Sequence, residues 1–152
     1  MSDIPVSRRE YPGRPFVAAS VAVYRDGRFL LASRTRPPYA HIYSLPGGMV
    51  ETGETLEETA IRELMEEVGV KTHALRFVGP LEVIDRDEQG NIRHHVVIMV
   101  HVGLWKSGEP QTGPEAQDVY WANLDEMDHL PLTPHLKEVL VQAERLLSGN
   151  GQ

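Results

Sequence analysis

The stretch from Gly47 to Val70, GGMVETGETLEETAIRELMEEVGV, leaves the chain little conformational choice. Pro46-Gly47-Gly48, followed by Gly53, predicts a turn. Glycine accepts positive φ and lets the backbone approach a ligand closely. A helix follows, starting at Thr52 or Thr55. Glu54, Glu57 and Glu58 fall in or near its first turn, where carboxylates meet the positive end of the helix dipole. Gly69 marks the stop as a left-handed cap. Leu56, Ala60, Ile61, Leu64 and Val68 recur at helical spacing and predict one apolar face.

Glu63, Glu66 and Glu67 stand at i, i+3 and i+4 on this helix. At about 100° per residue they share one arc beside the apolar face. Carboxylates so close repel and weaken the helix. A divalent cation removes that cost, and an all-oxygen donor set points to Mg²⁺ or Mn²⁺ rather than zinc. A solvated acidic helix face is the alternative reading.

The full spacing carries more information than the glutamates alone. Gly48, five residues, Glu54, seven residues, then Arg62-Glu63-Leu64-x-Glu66-Glu67-x-Gly69-Val70 resembles the Nudix box, and every defined position matches. The resemblance implies an α/β fold, an α/β/α sandwich around a mixed β-sheet. It implies a Mg²⁺-dependent hydrolase, with Mn²⁺ as a substitute. Such an enzyme cleaves the pyrophosphate bond of a nucleoside diphosphate linked to another group. The substrate class is (d)NTP, ADP-ribose or nucleotide sugar. By the same resemblance Glu63, Glu66 and Glu67 are the metal ligands, with the Gly48 carbonyl as a further one. Arg62 orients the cluster through a salt bridge to Glu54. Glu66 is also a candidate to deprotonate water, since a carboxylate among like charges can have a raised pKa. In other members the base is a glutamate outside the box. Glu115, Asp118, Asp87 and Glu88 are the candidates here. The Trp121-x-x-Leu124-Asp125-Glu126 segment also looks like members of this size.

Marks of three subclasses are missing downstream and upstream of the box. The proline expected about sixteen residues after it in one type of ADP-ribose hydrolase is replaced by Arg86, and the nearest proline is Pro80. Arg86, Asp87 and Glu88 stand where one type of dinucleoside polyphosphate hydrolase has a tyrosine, and no coenzyme A signature is visible. These departures count against those subclasses without excluding ADP-ribose itself. Two other readings stay open: an RNA 5′-end pyrophosphohydrolase and a non-catalytic nucleotide-sensing module.

The chain of 152 residues predicts one domain over residues 16–147, between an irregular N-terminal arm (1–15) and a C-terminal tail (148–152). The arm reads as a disordered leader or as a segment packed on a partner subunit. Phe16–Tyr24 and Arg28–Ser33 flank Asp26-Gly27, a strong hairpin signal. Arg34 and Arg36, just upstream of the glycine-rich turn, are candidates to face substrate phosphates, or else form a basic strand end in solvent. Tyr39, His41 and Tyr43 alternate before the turn, where an aromatic either stacks on a ring or anchors the loop. Tyr43 and Glu115 join Arg34 and Arg36 as candidate substrate contacts.

After the box, residues 72–83 read as one or two short strands broken at Gly79-Pro80. The 81–102 region reads as a hairpin, with Gly90 the tight position of its turn and His94–Leu104 its buried second strand. Adjacent His94 and His95 point to opposite faces, and His95 and His101 lie about 20 Å apart along a strand. A histidine metal site is therefore rejected, and these side chains are expected at the core edge or lining a cleft. Residues 106–117 form a loop, and Val119–Leu124 a short strand. Thr133 as N-cap and Pro134 at the first position open a final helix to Leu147, with an apolar stripe from Leu136 to Leu147.

The net charge of −7 argues against non-specific binding to a nucleic-acid backbone. With no cysteine, disulfides and thiolate chemistry are excluded. No apolar run of about 18 residues and no signal-peptide pattern occur, so a cytoplasmic location and no membrane partner are expected. A small nucleotide is the expected partner, and a homodimer is the commonest symmetric assembly.

Overall fold

A computed structural model describes residues 9–34 and 40–149. Strands β1 (Phe16–Arg25) and β2 (Arg28–Ser33) form the hairpin that Asp26-Gly27 signals. Both turn residues have positive φ, 51° and 80°, as a two-residue turn matched to strand twist requires. Two short strands follow, β3 (Tyr43–Ser44) and β4 (Gly47–Met49), then helix α1 (Leu56–Val68). β5 (Lys71–Arg86) and β6 (Ile92–Ser107) make a long hairpin, and β7 (Asp118–Ala122) leads through a 3₁₀ turn to helix α2 (Leu136–Leu147).

The sheet of described strands runs β3-β2-β1-β6-β5, with β4 against β1 and β7 against β2. β1 and β6 pair in parallel and the other pairs are antiparallel, so the sheet is mixed. Side chains alternate across β1. Ala19, Val21 and Val23 join Ala60, Leu64 and Val68 of α1 in one core. Ala22 on the other face joins Leu136, Leu140 and Ala143 of α2 in a second. Helices therefore cover opposite faces of the sheet, which is the expected α/β/α sandwich.

Four local expectations are corrected. Residues 71–86 form one continuous strand, not pieces broken at Gly79-Pro80. Register shifts between His73 and Arg76 and between Phe77 and Gly79 absorb the irregularity. β5 is an edge strand, where a proline without an N–H is tolerated. Second, α2 begins at Leu136, and Thr133 is not its side-chain cap. Thr133 is instead buried against β3, its N–H donating to the Tyr43 carbonyl at 3.0 Å. His135, with φ 68°, then turns the chain into the helix. Third, Ile61 is half exposed, because the buried arc of α1 includes Glu63 and Glu67 and rotates Ile61 away from the sheet. Fourth, the described part of the arm is fastened to the β5–β6 hairpin rather than disordered. The Tyr11 N–H donates to the Arg93 carbonyl, the Tyr11 hydroxyl to Asp87, and Arg93 to Glu10.

The hairpin turn itself is as expected. Gly90 has φ 86°, and the Asp87 carboxylate accepts from the Gln89 and Asn91 N–H groups. No helix among the described residues is long and apolar enough to cross a membrane.

Leu140 has no solvent exposure at the centre of the α2 core. Leu140→Ala is expected to destabilise the chain by about 2–5 kcal/mol. Urea unfolding checks this: the midpoint should fall with the slope unchanged.

Candidate active site

Thr55, not Thr52, caps α1. Its hydroxyl accepts from the Glu58 N–H while the Glu58 carboxylate accepts from the Thr55 N–H, a reciprocal capping box. Gly69, with φ 72°, closes the helix by donating to the Met65 carbonyl. These caps fix where α1 starts and stops, and so which face it turns to the Gly47-Gly48 strand.

Neither glycine has room for a side chain. A Cβ on Gly47 would lie 2.5 Å from the Ala19 carbonyl oxygen, and one on Gly48 would lie 2.4 Å from the Glu63 carboxyl carbon. The close approach lets the Gly47 N–H donate to Glu67 Oε2 at 2.8 Å. β4 is thereby pinned between β1 and the glutamate face of α1.

Arg62 holds the other carboxylates. Its guanidinium grips Glu54 with two bonds, Nε to Oε2 at 2.7 Å and Nη2 to Oε1 at 2.9 Å. Nη1 donates to Glu63 at 2.9 Å and to Glu66 at 3.0 Å, and Nη2 also reaches the Met49 carbonyl. The bidentate bond to Arg62 holds the Glu54 carboxyl down at about 2, despite an opposing effect of burial. The Glu54–Arg62 bridge expected from the resemblance is thus the centre of a larger network.

Glu67 lies outside that network and is 6% exposed. Burial pushes its carboxyl up to about 8, and nearby Glu63 and Glu115 push the same way. Arg34 and the Gly47 N–H oppose the shift without cancelling it. Glu63, Glu67 and Glu115 each offer a carboxylate oxygen, and these oxygens lie within 4.8 Å of one another. They line a recess of about 20 Å³ with Gly48, Arg34 and Arg9. That volume accommodates an ion or one water. Three carboxylates against a glycine-lined wall fit a hard divalent cation.

The recess opens beside a larger cavity of about 110 Å³, sharing Gly47, Gly48, Met49, Arg9 and Arg34 with it. Ala18 and Ser20 of β1 line its floor with Leu81 and Val83 of β5 and His94, Val96 and Ile98 of β6. The register sets Ala18 opposite Ile98, Leu81 opposite Ile98 and Val83 opposite Val96, so these side chains share one face. Small residues at 18 and 20 are what leave the space.

The expected site residues separate into three groups. Gly48, Glu63, Glu67, Glu115 and Arg34 converge on the recess. Glu66 is exposed and engaged by Arg62, outside the trio, while Arg62 and Glu54 brace the cluster. Tyr43 does not line the cavity; its hydroxyl donates to Asp118, and its backbone bonds Pro131 and Thr133, which makes it a loop anchor. That bond raises the Tyr43 phenol to about 12. Arg36 and Tyr39 lie outside the described residues. Asp87 and Glu88 sit in the distal hairpin turn.

Sequence reasoning missed Arg9, which reaches the site from the arm, and the floor of the cavity. The alternation of small residues Ala18, Ser20 and Ala22 along β1 was the available signal. Nothing local pointed to Arg9. Glu115 was expected as a substrate contact or base, and the tertiary structure sets it beside Glu63 and Glu67.

Comparison with known proteins agrees with this geometry. The model of the NUDIX domain matches residues 14–143. The chain belongs to the NUDIX family. An ADP-ribose pyrophosphatase of Methanocaldococcus jannaschii is 33% identical over 116 residues, 76% of this chain and 66% of that protein. The NAD-capped RNA hydrolase NudC of Chromobacterium violaceum is 32% identical over 126 residues, 82% of this chain. The chain spans 44% of that protein's length. Among solved structures, a MutT NUDIX hydrolase from Burkholderia pseudomallei superposes with a TM-score of 0.74 at 33% identity, covering 85% of this chain and 98% of that one. The NUDIX domain of Shewanella oneidensis NrtR, solved with ADP ribose, shares the fold with a TM-score of 0.71 at 23% identity, over 88% of this chain and 89% of that one.

The Glu67 shift has a signed consequence for the metal-free protein. An unfolded glutamate titrates near 4.5 and the folded one near 8. Between these values the folded state binds the extra proton, so stability falls as pH rises from 4.5 to 8 and then levels. With EDTA present, Glu67→Gln is expected to raise the melting temperature at pH 8 and to flatten its decline between pH 5 and 8. Calorimetry across that range checks both.

Arg62→Ala leaves Glu54, Glu63 and Glu66 facing one another without their cation. A loss of about 1–3 kcal/mol is expected from denaturant titration, reduced from the fully buried case because Arg62 is 22% exposed. Restoring charge alone with Arg62→Lys should recover only part of it, since lysine cannot make the bidentate contact.

Proposed function

We propose that this chain hydrolyses the pyrophosphate bond of a small nucleoside diphosphate linked to another group, with ADP-ribose as the leading substrate, dependent on Mg²⁺ or Mn²⁺. The observation that carries this reading is the Glu63–Glu67–Glu115 trio in a recess that shares Gly47, Gly48, Met49, Arg9 and Arg34 with a cavity of about 110 Å³. An anhydride cleavage demands charge neutralisation at phosphorus and an activated water. The similarity to an ADP-ribose pyrophosphatase supports the same bond type. The net charge of −7 favours a small substrate over an RNA chain.

Glu63, Glu67 and Glu115 would hold the cation, with the Gly48 carbonyl as a further donor. A bound divalent cation supplies Lewis-acid stabilisation of phosphoryl oxygens and lowers the pKa of water. The chain's own residues do the rest. Arg62 keeps Glu54 ionised, aims Glu63 and Glu66, and anchors the Met49 carbonyl. Arg34 and Arg9, shared by recess and cavity, offer cations to the phosphates of a substrate lying across both. Glu66, exposed one helical turn from Arg62, is the carboxylate we assign to receive the proton of the attacking water at its Oε atoms.

The test is phosphate-ester product formation from ADP-ribose, dNTPs and nucleotide sugars with and without Mg²⁺ or Mn²⁺. Glu67→Gln and Glu115→Gln are each expected to lower kcat about 10²–10³-fold while the fold persists. Turnover that survives chelation of divalent ions, or is untouched by both variants, refutes the reading. Glu66→Gln should lower kcat and leave KM within about threefold, the pattern of an interaction made in the transition state.

A further inference from the structure

Two buried polar atoms on the cavity have no hydrogen-bond partner among the described residues: Ser20 Oγ and His94 Nε2. Both side chains are 3% exposed, and both residues line the cavity. They occupy different ends of it. Ser20 pairs with Gly47, beside the acidic recess. His94 lies on β6 four residues from Ile98, which is level with Ala18 and Met49. Strand rise puts His94 about 13 Å beyond that level, away from the carboxylates.

The His94 ring is not free to choose its hydrogen bonds. Nδ1 lies 2.9 Å from Asp85 Oδ2, on the cross-strand neighbour. A carboxylate only accepts, so Nδ1 carries the ring proton, and in the neutral ring Nε2 presents a lone pair. Beside Val83, Val96 and Ile98, this buried acceptor would be satisfied by a planar group that brings an N–H donor at its edge. The wall packs the ring faces and the lone pair reads one substituent.

We propose that His94, set by Asp85, is a specificity-determining residue that accepts a hydrogen bond from the exocyclic amino group of the substrate's base, so that the cavity prefers 6-aminopurine nucleotides to their 6-oxo counterparts. This rests on the nucleotide-hydrolase reading above and extends it to the base. A 6-oxo group would set an acceptor against the Nε2 lone pair and leave both unsatisfied. Asp85 acts only through His94, as a positioning residue that fixes the tautomer.

The experiment uses AMP and IMP as probes, with EDTA present, on the full chain labelled with ¹⁵N at histidine. AMP is expected to shift the His94 Nε2 resonance and to bind about tenfold or more tighter than IMP, as loss of one buried hydrogen bond implies. His94→Leu should bring the two affinities within about twofold of each other. Asp85→Asn keeps the shape but lets its amide donate to Nδ1. The ring proton then moves to Nε2, and the preference should shrink or reverse toward IMP. This variant decides the matter if His94→Leu does not fold. An AMP preference that persists in both variants, or an Nε2 resonance unmoved by AMP, overturns the proposal. ADP-ribose turnover by the same protein, assayed with Mg²⁺ or Mn²⁺ in place of EDTA, separates the two claims. Turnover without a His94 response defeats this inference alone, whereas a His94 response without metal-dependent turnover supports it and defeats the hydrolase reading.

Discussion

The Arg62 guanidinium is the interaction on which the rest of the site depends. Glu54, Glu63 and Glu66 all bond to it, and the Met49 carbonyl accepts from it. Without that cation, α1 would carry several carboxylates on adjacent turns with no compensation, and the helix would lose stability. With it, the repulsion becomes a network whose geometry is set by a planar fork of donors. The network also ties the helix to the turn after β4, because Glu54 and Met49 precede α1 while Glu63 and Glu66 lie within it.

Of the three box glutamates Glu63, Glu66 and Glu67, the last is left out of this arrangement. Glu67 faces the sheet, receives the Gly47 N–H as its one hydrogen-bond donor among the described residues, and is buried deeply enough to hold its proton up to about 8. A buried carboxyl with one hydrogen-bond donor is a costly feature. The fold accepts that cost at the point where two glycines bring a strand against the helix. The same glycines, together with small residues on one face of β1, leave the cavity open next to the recess. Site and cavity are two consequences of one packing arrangement. The buried His94 Nε2 and Ser20 Oγ add to it, since neither has a hydrogen-bond partner among the described residues.

Much of this was legible in the chain because local chemistry governs it. Asp26-Gly27 required positive φ at both positions and delivered a hairpin. Thr55 and Glu58 formed a capping box, and Gly69 took the left-handed cap. Where the local reading failed, a distant contact had overridden it. Pro80 does not break β5, because β5 lies at the sheet edge. Thr133 does not cap α2, because its pairing with β3 holds it three residues before Leu136, where the helix begins. Ile61 fits the helical repeat yet faces solvent, because the buried arc is shared with glutamates.

The box spacing by itself determined the turn, the helix, the acidic face and the family, since these depend on residues close in sequence and on periods the backbone imposes. Only the tertiary structure decided which glutamates are buried together. Glu63 and Glu67 face the sheet while Glu66 does not, and Glu115 arrives from a loop 48 positions after Glu67 to complete the trio. The cavity, Arg9 and the Asp85–His94 pair were likewise set by strand order and register. Spacing fixes what one helix can present, but convergence of separate elements is fixed by how the sheet pairs and which face each helix covers.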